Sequence, residues 1–439
     1  MEMKLTFPYP SLISIMDRYY HVTKSYGSAS TKKKSERLPP LSPPQPKRKL
    51  SILVATFWDY PHTGGLSNYI TSLCEGLRQQ GHHVDVISPN QFSSTEVSAY
   101  RKRIIPKLKD FFIKRYGTTD SLILKNNRNM YVYEKMLEKM DLSKYDVFHA
   151  QDLFTANILG RFNEHYNRPL FFTPHGMYTF NRLKFGIFKS GSLEEVYYRT
   201  LEEQAIQYSD QLIILSHTFR KPLMELGARP EQMITVYTGI DAPTHFKRQK
   251  EAHEPLVVTC VARLGPRKGH DILFQALAKL DPSLTKQLTV LIAGDGERKE
   301  MLHKQIQKLN LPYVKMLGNR DDVPTLLQAT DVFVLPTLND SLPIAIIEAM
   351  HSGAAIISTN VGGIPELVLH KKTGLIVEPN DVDQLAHALR LLLSNHAARK
   401  TLSRHAKEYA QARFTKQGMI ASIEKLYHHH LNKRASYAS

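Results

Sequence analysis

A chain of 439 residues with 42% hydrophobic and 23% charged residues has globular composition, which argues against a disordered or fibrous protein, and its length exceeds what one hydrophobic core usually serves. The formal charge of +17 calls for an anionic partner, whether nucleic acid, anionic membrane or a phosphate-bearing ligand. Cys74 and Cys260 lie far apart with no CxxC spacing, so neither a disulfide framework nor a zinc site is indicated and a reducing compartment fits best.

The N-terminal stretch MEMKLTFPYPSLISIMDRYY carries charges and prolines where a signal peptide needs a continuous apolar segment, and no run in the chain is long enough to read as a spanning helix. A cytoplasmic protein is therefore expected. Residues 1–49 hold ten Lys or Arg against three acids, including KKKSER and LPPLSPPQPKRK, and are expected to form a basic, Pro-rich extension that is disordered or loosely docked. From Leu50 short apolar runs alternate with helical periodicity, the pattern of βαβ units on a parallel sheet. LSILVATF, HVDVIS, YDVFHAQD, PLFFTPHG and QLIILSH read as strands of a first domain over 50–240. GGLSNYITSLCEGLRQQG reads as a helix with Leu66, Tyr69, Ile70, Leu73 and Leu77 on one face. Residues 241–255 read as a polar, proline-bearing linker. PLVVTCVARL, LTVLIAGDG, YVKMLGN, DVFVLPT, AAIISTN and TGLIVEP then supply the strands of a second domain over 256–439, whose C-terminal helix is expected to pack back toward the first. The fold class is α/β, with two doubly wound domains facing across a cleft. Ligands on such sheets bind beyond the carboxyl ends of the strands.

Candidate motifs follow in chain order. In HTGGLSNY, Gly64 and Gly65 stand between a strand and a helix, as either a plain tight turn or an anion site at the helix start. Residues 100–117, YRKRIIPKLKDFFIKRYG, mix seven basic residues and one acid with Ile104, Ile105, Leu108, Phe111, Phe112 and Ile113. They can lie on an anionic bilayer or simply cover the first domain as a solvated helix, and Pro106 argues against one uninterrupted helix. His149 and His175 both end first-domain strands, where each is either a structural hydrogen-bonder or a cleft residue. In VARLGPRKGHDILFQAL, Arg263 and Lys268 flank a Gly-Pro turn and together can neutralise a diphosphate, whereas Arg267 is expected to face solvent. In NDSLPIAIIEAM, Pro343 fits the first turn of a helix and Asp340 or Ser341 its cap. Glu348 sits among apolar neighbours, where a carboxylate should accept hydroxyl or amide donors. There is no HExxH or DxD motif, so no metal site is expected.

Taken together, GG before the first helix, RLxxRKG opening the second domain, GDG after its second strand, and an acid followed by Glu348 before AM-x-SG-x-x-II resemble the retaining GT-B glycosyltransferases of glycosyltransferase family 4 over roughly residues 50–430. The resemblance implies a hexosyltransferase-type, metal-independent enzyme without a cofactor. Its donor would be a nucleotide-diphosphate sugar such as a UDP- or GDP-sugar, bound by the second domain, and its first domain would bind a sugar, lipid-linked or polymer acceptor. It assigns Lys268 and Arg263 to the donor diphosphate, Glu348 to the ribose, and Asp340 to the donor sugar. Gly65, with Gly64, falls to phosphate or sugar, and His175 to the reaction centre. The family usually carries Glu where Asp340 stands, which keeps the charge and shortens the reach. Envelope, polysaccharide or glycolipid biosynthesis, with peripheral attachment to an inner membrane face, follows as an expectation. The competing readings are a nucleotide-sugar epimerase or phosphorylase on the same architecture, a noncatalytic sugar-nucleotide-binding protein, and a nucleic-acid binder. The last leaves the cleft motifs unexplained.

Overall fold

A computed structural model describes residues 10–22, 48–62, 64–241 and 254–436. The KKKSER and Pro-rich part of the N-terminal segment, and most of the expected linker, lie outside the described residues. Two parallel sheets of six strands form the framework. The first comprises β1 (Ser51–Ala55), β2 (His83–Ile87), β3 (Val147–Ala150), β4 (Leu170–Phe172), β5 (Gln211–Ile214) and β6 (Met233–Thr235), in the order β2-β1-β3-β4-β5-β6. The second comprises β7 (Leu256–Val261), β8 (Leu288–Ala293), β9 (Val314–Gly318), β10 (Val332–Leu335), β11 (Ala355–Thr359) and β12 (Leu375–Val377), in the order β12-β11-β10-β7-β8-β9. Strands such as β3, β5 and β10 are buried along their whole length because helices cover both faces, so they read as continuous apolar runs. The strand order reverses between β1 and β3 in one sheet and between β7 and β10 in the other, and the crevice beyond those strand ends is where each sheet can receive a ligand.

Eleven of the twelve strands fall on the predicted apolar runs, and β6 does not. At three residues it is too short to show a period, and it exists because β5 offers it an edge. One helical expectation is corrected, and of the two readings of the N-terminal segment the described part takes the docked one. Ser94–Tyr116 is one uninterrupted helix through Pro106, although an interior proline costs about 3 kcal/mol. Its exposed ring projects from the solvent side, while Ile104, Leu108 and Phe112, spaced by four, stay buried and hold both halves of the helix against the helix Ser121–Leu137. The N-terminal segment is docked over Pro10–Tyr19, a helix burying Ile13, Ile15 and Met16 against the helix Leu193–Tyr208. Asp17 fastens it by a two-pronged ion pair to Arg115 at 2.6–2.7 Å.

The chain leaves the first sheet after β6 and returns at Phe414–Lys416, and the two passages touch. Ile240 N donates to Phe414 O at 3.1 Å and Lys416 N to Ile240 O at 3.0 Å. A Cβ at Gly239 would stand 2.0 Å from Thr415 O, so glycine is required there. Lys416 Nζ bridges Asp241 at 2.9 Å and Glu75 at 3.1 Å. The final helix, Lys416–Ser436, lies on the first domain: Ile420 fills the space that a side chain at Gly76 would need, and Arg434 clasps Asp210 at 2.7–2.8 Å.

Candidate active site

The second-domain half of the site is built by loops that approach more closely than side chains allow. After β7 the chain turns through Arg263–Lys268 and reaches Gly269, whose φ of +69° is left-handed and whose Cβ would lie 1.9 Å from Pro336 O in the loop after β10. The two loops are then stitched together: Leu338 N and Thr337 Oγ1 both donate to Arg267 O, at 2.7 and 2.9 Å. That juxtaposition brings Lys268 Nζ to 2.5 Å from Asp340 Oδ2, a half-buried ion pair at the strand-order reversal. From below, Gly362 and Gly363 press on the same loop; a Cβ at Gly362 would lie 1.7 Å from Asp340 O, and Gly363 N donates to Ser341 O at 2.8 Å.

Neither Asp340 nor Ser341 caps the following helix, Ile344–His351. Its cap position is Pro343, which has no side-chain acceptor, because Asp340 is drawn to Lys268 and Ser341 to the opposite domain. Arg263 stands apart from this pair, 74% exposed and 3.1 Å from Glu297. Glu348 is half-buried on the helix, without a hydrogen-bond or ionic partner among the described residues, and burial raises its carboxyl above the ordinary range. Arg267, expected in solvent, is exposed but turned across the cleft, 5.6 Å from the Phe185 ring.

The first-domain half centres on His175. Its Nε2 donates to Gln151 Oε1 at 3.0 Å, and its ring meets Tyr69 edge-on at 4.8 Å, one turn into the helix that Gly64 and Gly65 open. Gly64 takes a φ of +147° at the helix cap, and open space lies where a Cβ at Gly65 would point. Burial lowers the His175 pKa to about 3, so the imidazole is neutral at physiological pH and can position a group by hydrogen bonding without itself carrying charge. His149, by contrast, is wholly buried between Tyr427 and Thr173, each at 2.7 Å, and is a structural clamp on the C-terminal helix.

Ser341 Oγ donates to His175 O at 3.0 Å and Asn339 Nδ2 to Asn181 Oδ1 at 3.2 Å, so the loops bearing Asp340 and His175 touch across the cleft. Beside them a cavity of about 180 Å³ is lined by Trp58, Gln151, His175, Asn181, Arg182 and Arg267, among others. Gln151 keeps its buried amide nitrogen without a partner among the described residues. Glu202 braces the His175 loop from behind, accepting from Tyr178 N at 2.7 Å and Thr179 N at 3.3 Å. Sequence reasoning missed Gln151, Glu202, Gly362 and Gly363. A signal existed for the last two, a Gly-Gly separated by two residues from the end of an apolar strand, whereas the others are ordinary polar residues until the fold assembles them.

The sequence model described as Glycosyltransferase Family 4 matches residues 63–243, and that described as Glycosyl transferases group 1 matches residues 241–410. The chain is 32% identical over 297 residues to the UDP-Gal:alpha-D-GlcNAc-diphosphoundecaprenol alpha-1,3-galactosyltransferase of Escherichia coli, an alignment spanning 64% of this chain and 74% of that protein. Among solved structures, the sucrose-phosphate synthase of Thermosynechococcus elongatus superposes with a TM-score of 0.70 at 20% identity, covering 88% of this chain and 100% of that one. Anabaena HepE in complex with UDP-glucose superposes with a TM-score of 0.63 at 20% identity, covering 86% and 99%.

Proposed function

Because the chain belongs to glycosyltransferase family 4 and is a glycosyltransferase of the GT-B fold, we propose that it moves a hexose from a nucleotide-diphosphate sugar to an acceptor hydroxyl with retention of anomeric configuration. The observation that carries this reading is the Lys268–Asp340 pair, held at the strand-order reversal of the second sheet while the next residue, Ser341, bonds the main chain of His175. In this reaction the bond from the sugar's anomeric carbon to the diphosphate breaks and one to the acceptor oxygen forms, the acceptor's proton passing to a donor phosphate oxygen on the same face. Negative charge grows on the departing diphosphate, and Lys268, joined by Arg263 once the exposed guanidinium swings from Glu297, stabilises it. Asp340 and neutral His175 orient the sugar, and Gln151 offers it an unused amide donor. Gly64 and Gly65 leave room at a helix start for phosphate or sugar, and Glu348 takes the ribose hydroxyls.

Saturating UDP, GDP or ADP should raise the melting temperature, since a ligand of the native state shifts unfolding by mass action. If none does so at millimolar concentration, the donor assignment fails. A nucleotide-sugar screen reading released nucleotide, with and without acceptor, then identifies the base and sugar and separates a transferase from an epimerase or phosphorylase.

No helix among the described residues is long and apolar enough to cross a membrane. Attachment to an anionic surface is proposed through the helix Ser94–Tyr116, which exposes Arg101, Lys102, Arg103, Lys107, Lys109 and Lys114 together with Ile113. Sedimentation with vesicles should show binding to anionic lipid and little to neutral lipid. Equal binding to both, or none to either, discards the attachment.

A further inference from the structure

A second cavity, of about 350 Å³, lies in the first domain beyond the ends of β1 and β2, between the helices Ser94–Tyr116 and Ser121–Leu137. Trp58, Tyr178 and Arg182 wall both this cavity and the one beside His175, so the two are neighbours. The inner lining is aromatic, with Phe57, Phe92 and Tyr133 beside Trp58 and Tyr178. The charged lining is mostly cationic: Arg101, Lys125 and Arg182 stand against one acid, Asp59, and the lining amides, Asn126 and Asn129, are neutral.

These cations are not spent on the fold. Arg101 and Lys125 are exposed and have no ion pair or hydrogen bond among the described residues. Arg182 lies flat on the Tyr178 ring, 3.4 Å from its centroid, which fixes its guanidinium; it makes no ion pair among the described residues, although its charge also acts on the carboxyl of Glu202 in the adjoining cavity. Arg128 adds a fourth positive charge behind the lining, held by Asn129 Oδ1 at 3.0–3.1 Å. Burial, and then the nearby Arg101 cation, lower the Arg128 pKa. Like charges gathered in a concavity repel one another and raise the local concentration of anions. With three cations facing one acid, a dianion suits the space better than a single carboxylate.

We propose that this cavity binds a phosphoryl group of the acceptor, so that the enzyme glycosylates a phosphorylated acceptor whose anion sits among Arg101, Lys125 and Arg182 while its hydroxyl reaches past Trp58 to the cleft. The proposal rests on the transferase reading. Its chemistry is shared by two sources, a soluble phosphorylated sugar and a lipid-linked phosphate.

Calorimetric titration of the full chain in saturating UDP, which occupies the donor site, tests it with three probes: glucose 1-phosphate, octyl phosphate and the neutral methyl glucoside. Both phosphates should bind and the glucoside should not. Arg101→Ala/Lys125→Ala should weaken phosphate binding at least tenfold, while Lys268→Ala should leave it within twofold. Both Arg101 and Lys125 side chains are on the surface, and an undiminished UDP-induced rise in melting temperature will show that the double variant is folded. Tighter octyl phosphate identifies a lipid-linked acceptor, tighter glucose 1-phosphate a soluble one. Equal binding of the glucoside, or phosphate binding unchanged in the double variant, overturns the proposal. Loss only in Lys268→Ala places the probe in the donor site and overturns it equally. Failure of the donor reading is separately visible: UDP then produces no heat with the wild-type chain.

Discussion

Lys268→Ala should lower turnover on the order of a hundredfold or more with little change in melting temperature. The side chain is 26% exposed and its single acidic partner, Asp340, 19% exposed, so the pair is tethered at the cleft and carries little of the core's stability. The larger effect comes from chemistry. Without the ammonium, the diphosphate loses a point cation as its charge grows and meets instead the carboxylate of Asp340, left without its partner. The two residues should therefore couple: Asp340→Asn alone should cost at least about tenfold, and the double variant should lose less than the product of the single losses. A role for Asp340 as a helix cap would have made the Asn variant nearly neutral, but the cap position is Pro343. Unchanged turnover in Lys268→Ala would remove this residue from the mechanism.

Glu348→Gln should stabilise the empty protein and at the same time weaken nucleotide binding at least tenfold. Burial penalises the ionised carboxylate, with no donor among the described residues to offset it. The folded carboxyl thus titrates above its unfolded counterpart, near pH 4.3. The penalty is full above the folded pKa and disappears as pH falls through it toward the unfolded value. The stabilisation by Gln should accordingly be largest at pH 7–8 and shrink toward pH 4. Ribose hydroxyls are the donors the carboxylate lacks, and a charged hydrogen bond of this kind is worth about 1.5–3 kcal/mol. A variant that is less stable, yet binds UDP, GDP or ADP as the wild type does, would make Glu348 a structural acid.

What could be read from the sequence was whatever the sequence repeats locally. Apolar runs such as LTVLIAGDG and DVFVLPT, bounded by turn residues, announce buried parallel strands because helices cover both faces of the sheet and side chains on either face are drawn into a core. The helix opened by Gly65 was likewise legible, since Tyr69, Ile70, Leu73 and Leu77 recur at helical spacing and are all buried. The helix through Pro106 was not, because propensity counts the lost hydrogen bond and cannot count the burial of Ile104, Leu108 and Phe112 on either side. Docking of the N-terminal segment was one of two open readings, but the helix Pro10–Tyr19 was not legible, because its few apolar residues find their surface on a helix nearly two hundred residues later. Of the candidate site, Lys268 and Asp340 are brought together and His175 joins their loop, whereas Arg263 sits on the rim and Glu348 is linked to neither by a contact. The cap reading of Asp340 weighed only its own helix; the Lys268 loop, seventy-two residues away in sequence, outweighed it.

The paired passages at Ile240 and Thr415 have a mechanical consequence. One covalent strand joining two lobes can rotate about its own bonds like a string. Two strands bonded flank to flank, with Lys416 riveted between Asp241 and Glu75, behave as a flat strap that folds in one direction and resists torsion. A closing motion pivoting at this seam is expected to return Asp340 and Ser341 to the same alignment with His175.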